Sequence, residues 1–409
     1  MINDLTDSQK LAISLSERVL NKLEERRNNI LNGNINCIPF PFANFREDIP
    51  GIEQGRYISI TGATKSSKSQ FASKLLFEAL LYAYYHPEQL DIHIRYFPLE
   101  ETPEGIMERF MSYLLFLKSG RKVRISPSDL RSTNNDKPVD KDILSLLQQE
   151  DYQNIIKFFE EKIIFSDATT PMGIFLECKK YAEDNGIIHR KKVKYKDESG
   201  NTVESDKGFD YYEQNNPKQY RIIFVDHISL IQTQQGMDLR QSMNKLSEHF
   251  VELRNKYHYT PIIVHQQAMF ESLEAYKMDK LECSIANLAD SKAIARDLDL
   301  CIGIFSPYKY NLTNYKGYDI TVFKDNIRFV SVLLNRNGLC NGVLPLYFDG
   351  AVNYFNTLCA PNNNAELEKV YKYLESIRGK SNKIFLWFNK LKLFNGTTNK
   401  TKRSTKLQS

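Results

Sequence analysis

A lysine-serine pair in a loop between a strand and a helix is the segment of this 409-residue chain that most clearly carries chemistry. The apolar run from Tyr57 to Thr61 leads into a loop that opens with Gly62 and ends at Lys68-Ser69. In such a loop, backbone N–H groups and the helix N-terminus bind phosphate, the lysine reaches the β- and γ-phosphates, and the serine hydroxyl binds Mg²⁺. The predicted nucleotide-binding residues are Gly62, Ala63, Thr64, Lys65, Ser66, Ser67, Lys68, Ser69 and Gln70.

One position departs from the motif. The phosphate-binding pattern has glycine immediately before the lysine, whereas this chain has Ser67. If the backbone there is left-handed, a side chain costs about 1 to 2 kcal/mol, which weakens such a site without abolishing it. Taken alone, the loop fits a phosphate site and a Ser/Lys loop that binds nothing about equally well.

Two acidic residues follow predicted strands and favour the phosphate site. The strand from Arg221 to Val225 leads into Asp226, and the strand around Ile94 leads into Glu100. An acid at the carboxyl end of a sheet strand can help to hold Mg²⁺, and hydrolysis of a γ-phosphate needs a group that orients or deprotonates water. We therefore predict Asp226, with Ser69, as the metal site and Glu100 as the catalytic base. The alternatives are an ordinary buried strand with a capping Asp226, and Glu101 in place of Glu100.

Six segments between Pro39 and Phe355 join apolar runs to polar residues: PFPFANF (39–45) with IEQG (52–55), PLE (98–100) with ER (108–109), FVDHISLI (224–231), VHQQ (264–267), the segment 284–299, and LNRNG (334–338). In order and spacing they resemble the ATPase domain of DnaB-type replicative DNA helicases, the RecA-fold hexamers of superfamily 4. No single segment is specific, but the order of the six is.

The resemblance implies a RecA-like P-loop NTPase core that uses ATP and Mg²⁺, with Gln266 as a γ-phosphate sensor. It also implies that Arg336 is a catalytic finger that reaches the nucleotide of a neighbouring subunit. Without it, Arg336 would be a surface residue in an Asn-Gly turn and Gln266 a polar strand end. The family has lysine where this chain has Leu334, so one phosphate-binding cation is missing.

Single-stranded DNA is the partner that the resemblance implies, in the channel of a homo-oligomeric ring, expected to be a hexamer. Loops facing such a channel track phosphates with backbone N–H groups and basic side chains. We predict Gly236 and Arg240 in one loop, and Lys277 and Lys280 in a second, as DNA-binding residues; solvated loop charges are the alternative. A primase or a helicase loader is a further expected partner.

Strands that alternate with helices predict an α/β fold with a largely parallel, twisted sheet flanked by helices. We divide the chain into a linker helix and connector (1–38), an ATPase domain (39–358) and a C-terminal helix with a basic tail (359–409). The domain carries insertions at about 119–153, 189–218 and 307–326. The helix predicted over 7–32 has an apolar stripe, which a neighbouring subunit is expected to cover.

Composition agrees with a globular protein: 42% of the residues are apolar and 26% are charged, which excludes fibrous and wholly disordered chains. No apolar run approaches the ~18 to 20 residues of a membrane span, and no secretory signal is evident at the N-terminus. Six scattered cysteines favour a reducing compartment without structural zinc. We therefore expect no membrane association and a cytoplasmic location, in the host cytoplasm if a bacteriophage encodes the chain.

A ring-forming, ATP-driven helicase that translocates on single-stranded DNA is thus the first functional prediction. A RecA-like DNA-dependent ATPase of recombination or repair is the second. A degenerate nucleotide-binding relative with a structural or loading role is the third, and Ser67 and Leu334 favour it. The basic tail, with nine Lys/Arg and no Asp/Glu over residues 378–409, adds a small argument for nucleic acid.

Overall fold

The computed structural model describes residues 15–196, 202–267, 281–288, 292–340 and 342–378. Strands in these ranges begin and end close to the predicted positions. They are β1 (Ile38–Pro39), β2 (Gly51–Ile52), β3 (Ile58–Gly62), β4 (Asp91–Pro98), β5 (Ile163–Phe165), β6 (Gly186–Lys196), β7 (Thr202–Gln214), β8 (Gln219–Asp226), β9 (Thr260–Gln266), β10 (Leu300–Phe305), β11 (Asn314–Tyr315), β12 (Tyr318–Asp319), β13 (Ile327–Asn335), β14 (Val343–Asp349) and β15 (Tyr354–Thr357).

Nine of these strands form one sheet in the order β15-β14-β13-β10-β3-β9-β8-β4-β5. The six strands from β10 to β5 pair in parallel, whereas β13, β14 and β15 are antiparallel additions at one side. This architecture confirms the predicted α/β fold with a largely parallel sheet. The predicted hairpin near the end of the domain is β14–β15, and the predicted exposed hairpin is β6–β7.

Both faces of the sheet are covered, as strand β8 illustrates. Ile222 and Phe224 pack into one hydrophobic core, whereas Ile223 and Val225 pack into the other. Successive side chains of a strand point to opposite faces, so an uninterrupted apolar run is what a strand buried on both faces requires.

Helices cover these faces and fill the connections. In the described ranges, none combines the length and the apolar character that a membrane span needs. They are α1 (Leu15–Leu31), α2 (Lys68–Tyr85), α3 (Pro103–Lys118), α4 (Pro127–Leu130), α5 (Lys141–Leu147), α6 (Glu150–Lys162), α7 (Pro171–Asp184), α8 (Leu239–Tyr257), α9 (Lys292–Asp297), α10 (Ile320–Phe323) and α11 (Asn364–Arg378).

The polar stretch 119–153 differs from the loop that its composition indicates, because it contains α4, α5 and the start of α6. Its helix ends are capped: the Ser126 hydroxyl accepts from the Asp129 N–H at 3.1 Å, and the Asp140 carboxylate accepts from the Asp142 N–H at 3.0 Å. Such caps satisfy N–H groups that have no partner inside a helix. Capping and one buried side chain, Leu147, therefore order short helices with little apolar periodicity.

Helix α1 lies within the predicted linker helix and buries no residue of its own. Its apolar side chains Leu15, Leu20 and Leu23 are between 58% and 70% exposed. The helix is held through its polar side, where Arg26 pairs with Glu53 at 2.7 Å. Residues 1–14, which include the start of the predicted helix, and the tail after residue 378 lie outside the described residues.

Candidate nucleotide-binding site

The carboxyl ends of four neighbouring parallel strands bring the candidate residues together. The phosphate-loop candidate follows β3, Gln266 ends β9, Asp226 ends β8 and Glu100 follows β4. These strands are adjacent in the order β3-β9-β8-β4, and Gly62 pairs in register with Gln266. Ligands of open α/β sheets bind at this edge.

The loop has the features of an anion site. A side chain at Gly62 would meet the Ile304 carbonyl oxygen at 2.6 Å, so glycine is required where the loop turns. The Ser66 hydroxyl is buried with no hydrogen-bond partner. Lys68 is only 7% exposed, and no residue in the described ranges accepts a hydrogen bond from its ammonium. A buried ammonium without a bonded partner is costly, and a phosphate would supply that partner.

Ser67, the departure from the motif, has a left-handed backbone with φ +71° and ψ +27°. Its hydroxyl accepts a hydrogen bond from Nη2 of Arg328 at 3.0 Å, and Nε of Arg328 donates to the Ser66 carbonyl at 3.2 Å. The Arg328 guanidinium is buried over the Phe348 ring and also bonds Asp325 at 2.8 Å. The serine side chain therefore anchors the loop to β13, a role that glycine could not perform.

The Ser69 hydroxyl lies 3.0 Å from Oδ1 of Asp226. This pair offers two hard oxygen ligands beside the loop, and no cluster of three or more His, Cys, Asp or Glu in the described ranges offers a metal cage. Mg²⁺ is commonly bound by one or two side-chain oxygens, with phosphate oxygens and water completing the octahedron. The residues present therefore fit Mg²⁺ bound together with a nucleotide.

Burial raises the pKa of Asp226 to about 6; repulsion by Glu100 adds to the rise, and the hydrogen bond with Ser69 opposes it. Because the unfolded carboxyl titrates near ~3.9, the folded protein holds this proton more tightly. Metal-free stability should then fall as the pH rises from about 4 to about 6, and at neutral pH the carboxylate should cost about 2 to 3 kcal/mol.

Asp226→Asn removes this charge and is expected to raise the free energy of unfolding by about 2 kcal/mol at pH 7.5 and by at most about 1 kcal/mol at pH 4.5. Urea denaturation with EDTA at both pH values measures the difference. The exposed Asp184, changed to Asn, serves as the control and should have no such pH-dependent effect. Equal stabilities of wild type and Asp226→Asn at pH 7.5 would contradict the assignment.

The two neighbouring glutamates have different surroundings. Glu101 pairs with Arg109 at 2.6 Å. Glu100 is 54% exposed and lies 3.7 Å from Nε2 of His227. Burial lowers the pKa of His227, so that ring is neutral at neutral pH. Of the two acids, Glu100 therefore keeps the carboxylate that could accept a proton from water.

Gln266 contacts the loop directly, because its Nε2 donates to the Thr64 hydroxyl at 2.6 Å. Arg336, in contrast, lies at the opposite edge of the sheet. Its guanidinium donates to the Arg296 carbonyl and lies 3.9 Å from Asp299, which accepts the Tyr57 N–H just before β3. The five residues of β3, about 17 Å long, separate Arg336 from its own phosphate loop.

The DNA-binding candidates are placed in part. Gly236, with φ +79°, lies in a turn before α8, and Arg240 lies in the first turn of that helix, which Asp238 caps. Lys277 and Lys280 lie outside the described residues. All four remain predictions. Sequence reasoning missed Arg328, for which the one signal was a charge within an apolar strand.

Solved structures provide a comparison for this arrangement. The ATPase domain of a phage protein of the DnaB-like helicase class matches with a TM-score of 0.58 and 14% identity, over 85% of this chain and 99% of that chain. A DnaB-like replicative helicase, from a structure concerning its interactions with primase, matches with a TM-score of 0.54 and 14% identity, over 84% of this chain and 66% of that one. The chain has the fold of a DnaB-type helicase ATPase domain.

No protein-family model matches the chain, and no curated protein matches it. At 14% identity the likeness establishes the helicase ATPase fold, which the resemblance predicted, and not an activity. The candidate residues lie where this fold has its strand ends, so the case for function depends on their own geometry.

Proposed function

We propose that this protein is an ATP-dependent replicative DNA helicase, a ring-forming motor that translocates on single-stranded DNA and unwinds duplex. The observation that carries the proposal is the buried, unpartnered Lys68 beside the Ser69–Asp226 pair, on a helicase ATPase fold. A buried cation next to two metal-binding oxygens suits the Mg²⁺ complex of a nucleoside triphosphate.

The proposed roles follow from the positions of the side chains. Lys68 binds the β- and γ-phosphates, and Ser69 with Asp226 holds Mg²⁺, which neutralises charge on the phosphate oxygens when bound. Glu100 accepts a proton from the attacking water. Gln266, which already contacts Thr64, responds to the γ-phosphate.

Two observations support a ring. The exposed apolar side chains of α1 lack a cover within the described part of the chain, and a neighbouring subunit would supply one. Arg336 is 48% exposed and far from its own loop, as a finger acting on the next subunit must be. Primase or a loader remains the proposed additional partner.

ATP hydrolysis with and without single-stranded DNA tests the proposal, together with strand separation on a forked duplex. We expect hydrolysis to rise with DNA, and Lys68→Ala and Glu100→Ala to reduce it by at least about 10²-fold each. Lys372→Ala, a change in an exposed surface ion pair, is the control and should hydrolyse ATP like wild type.

The alternatives give different results in the same experiments. DNA-stimulated hydrolysis without strand separation would favour a RecA-like ATPase of recombination or repair. Nucleotide binding without hydrolysis, equal in wild type and Glu100→Ala, would favour a degenerate relative with a structural or loading role. If wild type bound no nucleotide at all, the motor and its alternatives would both be wrong.

A further inference from the structure

A second lysine reaches the phosphate loop from a different part of the fold. Lys309 lies in the short 3₁₀ turn Pro307–Tyr310, directly after β10. Because β10 pairs with β3, this turn is held beside the loop that follows β3. The Tyr310 ring stacks on Phe305 with centroids 5.5 Å apart, and Pro307 is buried, so the turn has a fixed base.

The Lys309 ammonium donates to the Thr64 carbonyl oxygen at 2.8 Å. Thr64 is also the residue whose hydroxyl binds Gln266, so Lys309 and Gln266 meet at one point of the loop. An ammonium has three donors, and a single neutral carbonyl satisfies one of them. In the described ranges, no carboxylate pairs with Lys309.

Lys309 also lies close enough to Lys68 for their charges to interact. Burial lowers the pKa of Lys68 most, and repulsion by Lys309 lowers it further, while Glu100 and Asp226 oppose the change. Two ammonium groups that converge on one loop repel each other until an anion lies between them. The arrangement is therefore better satisfied by a polyphosphate than by the protein alone.

We propose that Lys309 is a phosphate-binding residue of this site, supplied by the same subunit, which contacts the terminal phosphate of a nucleoside triphosphate. The inference rests on the proposed nucleotide site and adds to it a residue that distinguishes triphosphate from diphosphate. Its contact with Thr64, beside Gln266, places it at the part of the loop where the sensor lies.

Binding of a fluorescent non-hydrolysable triphosphate and of the matching diphosphate, both with Mg²⁺, tests the proposal by anisotropy. Lys309→Gln, which keeps a donor for the Thr64 carbonyl but removes the charge, should weaken the triphosphate about tenfold and the diphosphate less than about twofold. Lys309→Arg should stay within about threefold of wild type for both. Lys316→Gln, in the same insertion, is the matched control.

Equal weakening of both nucleotides by Lys309→Gln would overturn the proposal, because it would mean that Lys309 acts only by holding the loop. Unchanged binding of both would also overturn it, while leaving the nucleotide site intact. A wild type that binds neither nucleotide would instead overturn the proposed function, and Lys68→Ala in the same assay identifies that case.

Discussion

Replacing Arg336 by alanine is expected to lower ATP hydrolysis by about 10³-fold and to leave nucleotide binding by the isolated subunit unchanged. The reason is distance: the guanidinium lies beside Asp299, at the edge of the sheet away from Lys68. An arginine there can stabilise transition-state charge only in a neighbour's site. The adjacent Arg296, 79% exposed, provides a matched control, since Arg296→Ala should keep near wild-type hydrolysis.

Mixing two inactive variants separates this role from a local defect. In rings co-expressed from equal amounts of Lys68→Ala and Arg336→Ala subunits, one site in four combines an intact loop with an intact neighbouring arginine. Roughly a quarter of wild-type hydrolysis should therefore return. Co-expressed rings that stay as inactive as either parent would show that Arg336 does not act between subunits.

Arg328→Met is expected to have the second large effect. It removes the donors to the Ser66 carbonyl, the Ser67 hydroxyl and the Asp325 carbonyl, and leaves buried acceptors unpaired. We expect the free energy of unfolding to fall by about 2 to 3 kcal/mol and nucleotide affinity to fall at least about tenfold, because the loop loses its anchor. Denaturant unfolding and anisotropy measure the two effects.

A double-mutant cycle with Ser67→Gly isolates the anchor. In wild type, glycine relieves the left-handed backbone but loses the bond to Arg328, so the two effects should nearly cancel. In Arg328→Met only the relief remains, and Ser67→Gly should stabilise by about 1 kcal/mol. Arg378→Met, which also removes donors to backbone carbonyls, should not change nucleotide affinity. Unchanged affinity in Arg328→Met would contradict the anchoring role.

Much of the fold could be predicted because its signals are local. Apolar runs ending in an acid, such as the strand that leads to Asp226, identify parallel strands, and the chain order of Gly62, Glu100, Asp226 and Gln266 then predicts a shared edge. The caps at Ser126 and Asp140 were equally local signals for the short helices of 119–153, but the polar composition concealed them.

The contacts that stabilise the loop could not be predicted in the same way. Arg328 lies some 260 residues from Ser67 in sequence, and Lys309 some 245 residues from Thr64. Each approaches because β13 and β10 lie next to β3 in the sheet order, which no local pattern indicates. For this reason Ser67 appeared from sequence to be a weakness, although its hydroxyl bonds a buried guanidinium.

Strand β13 has a consequence for communication between subunits. Arg328 lies at its start and Arg336 directly after its end, about 30 Å apart along a continuous backbone. Hydrogen bonds to β10 and β14 on either side prevent the strand from stretching. In the ring that we propose, a shift of the phosphate loop on nucleotide binding would displace Arg328 and, through the strand, the arginine in the adjacent site. Neighbouring subunits would then bind ATP cooperatively, and the turnover of each would depend on the occupancy of the one before it.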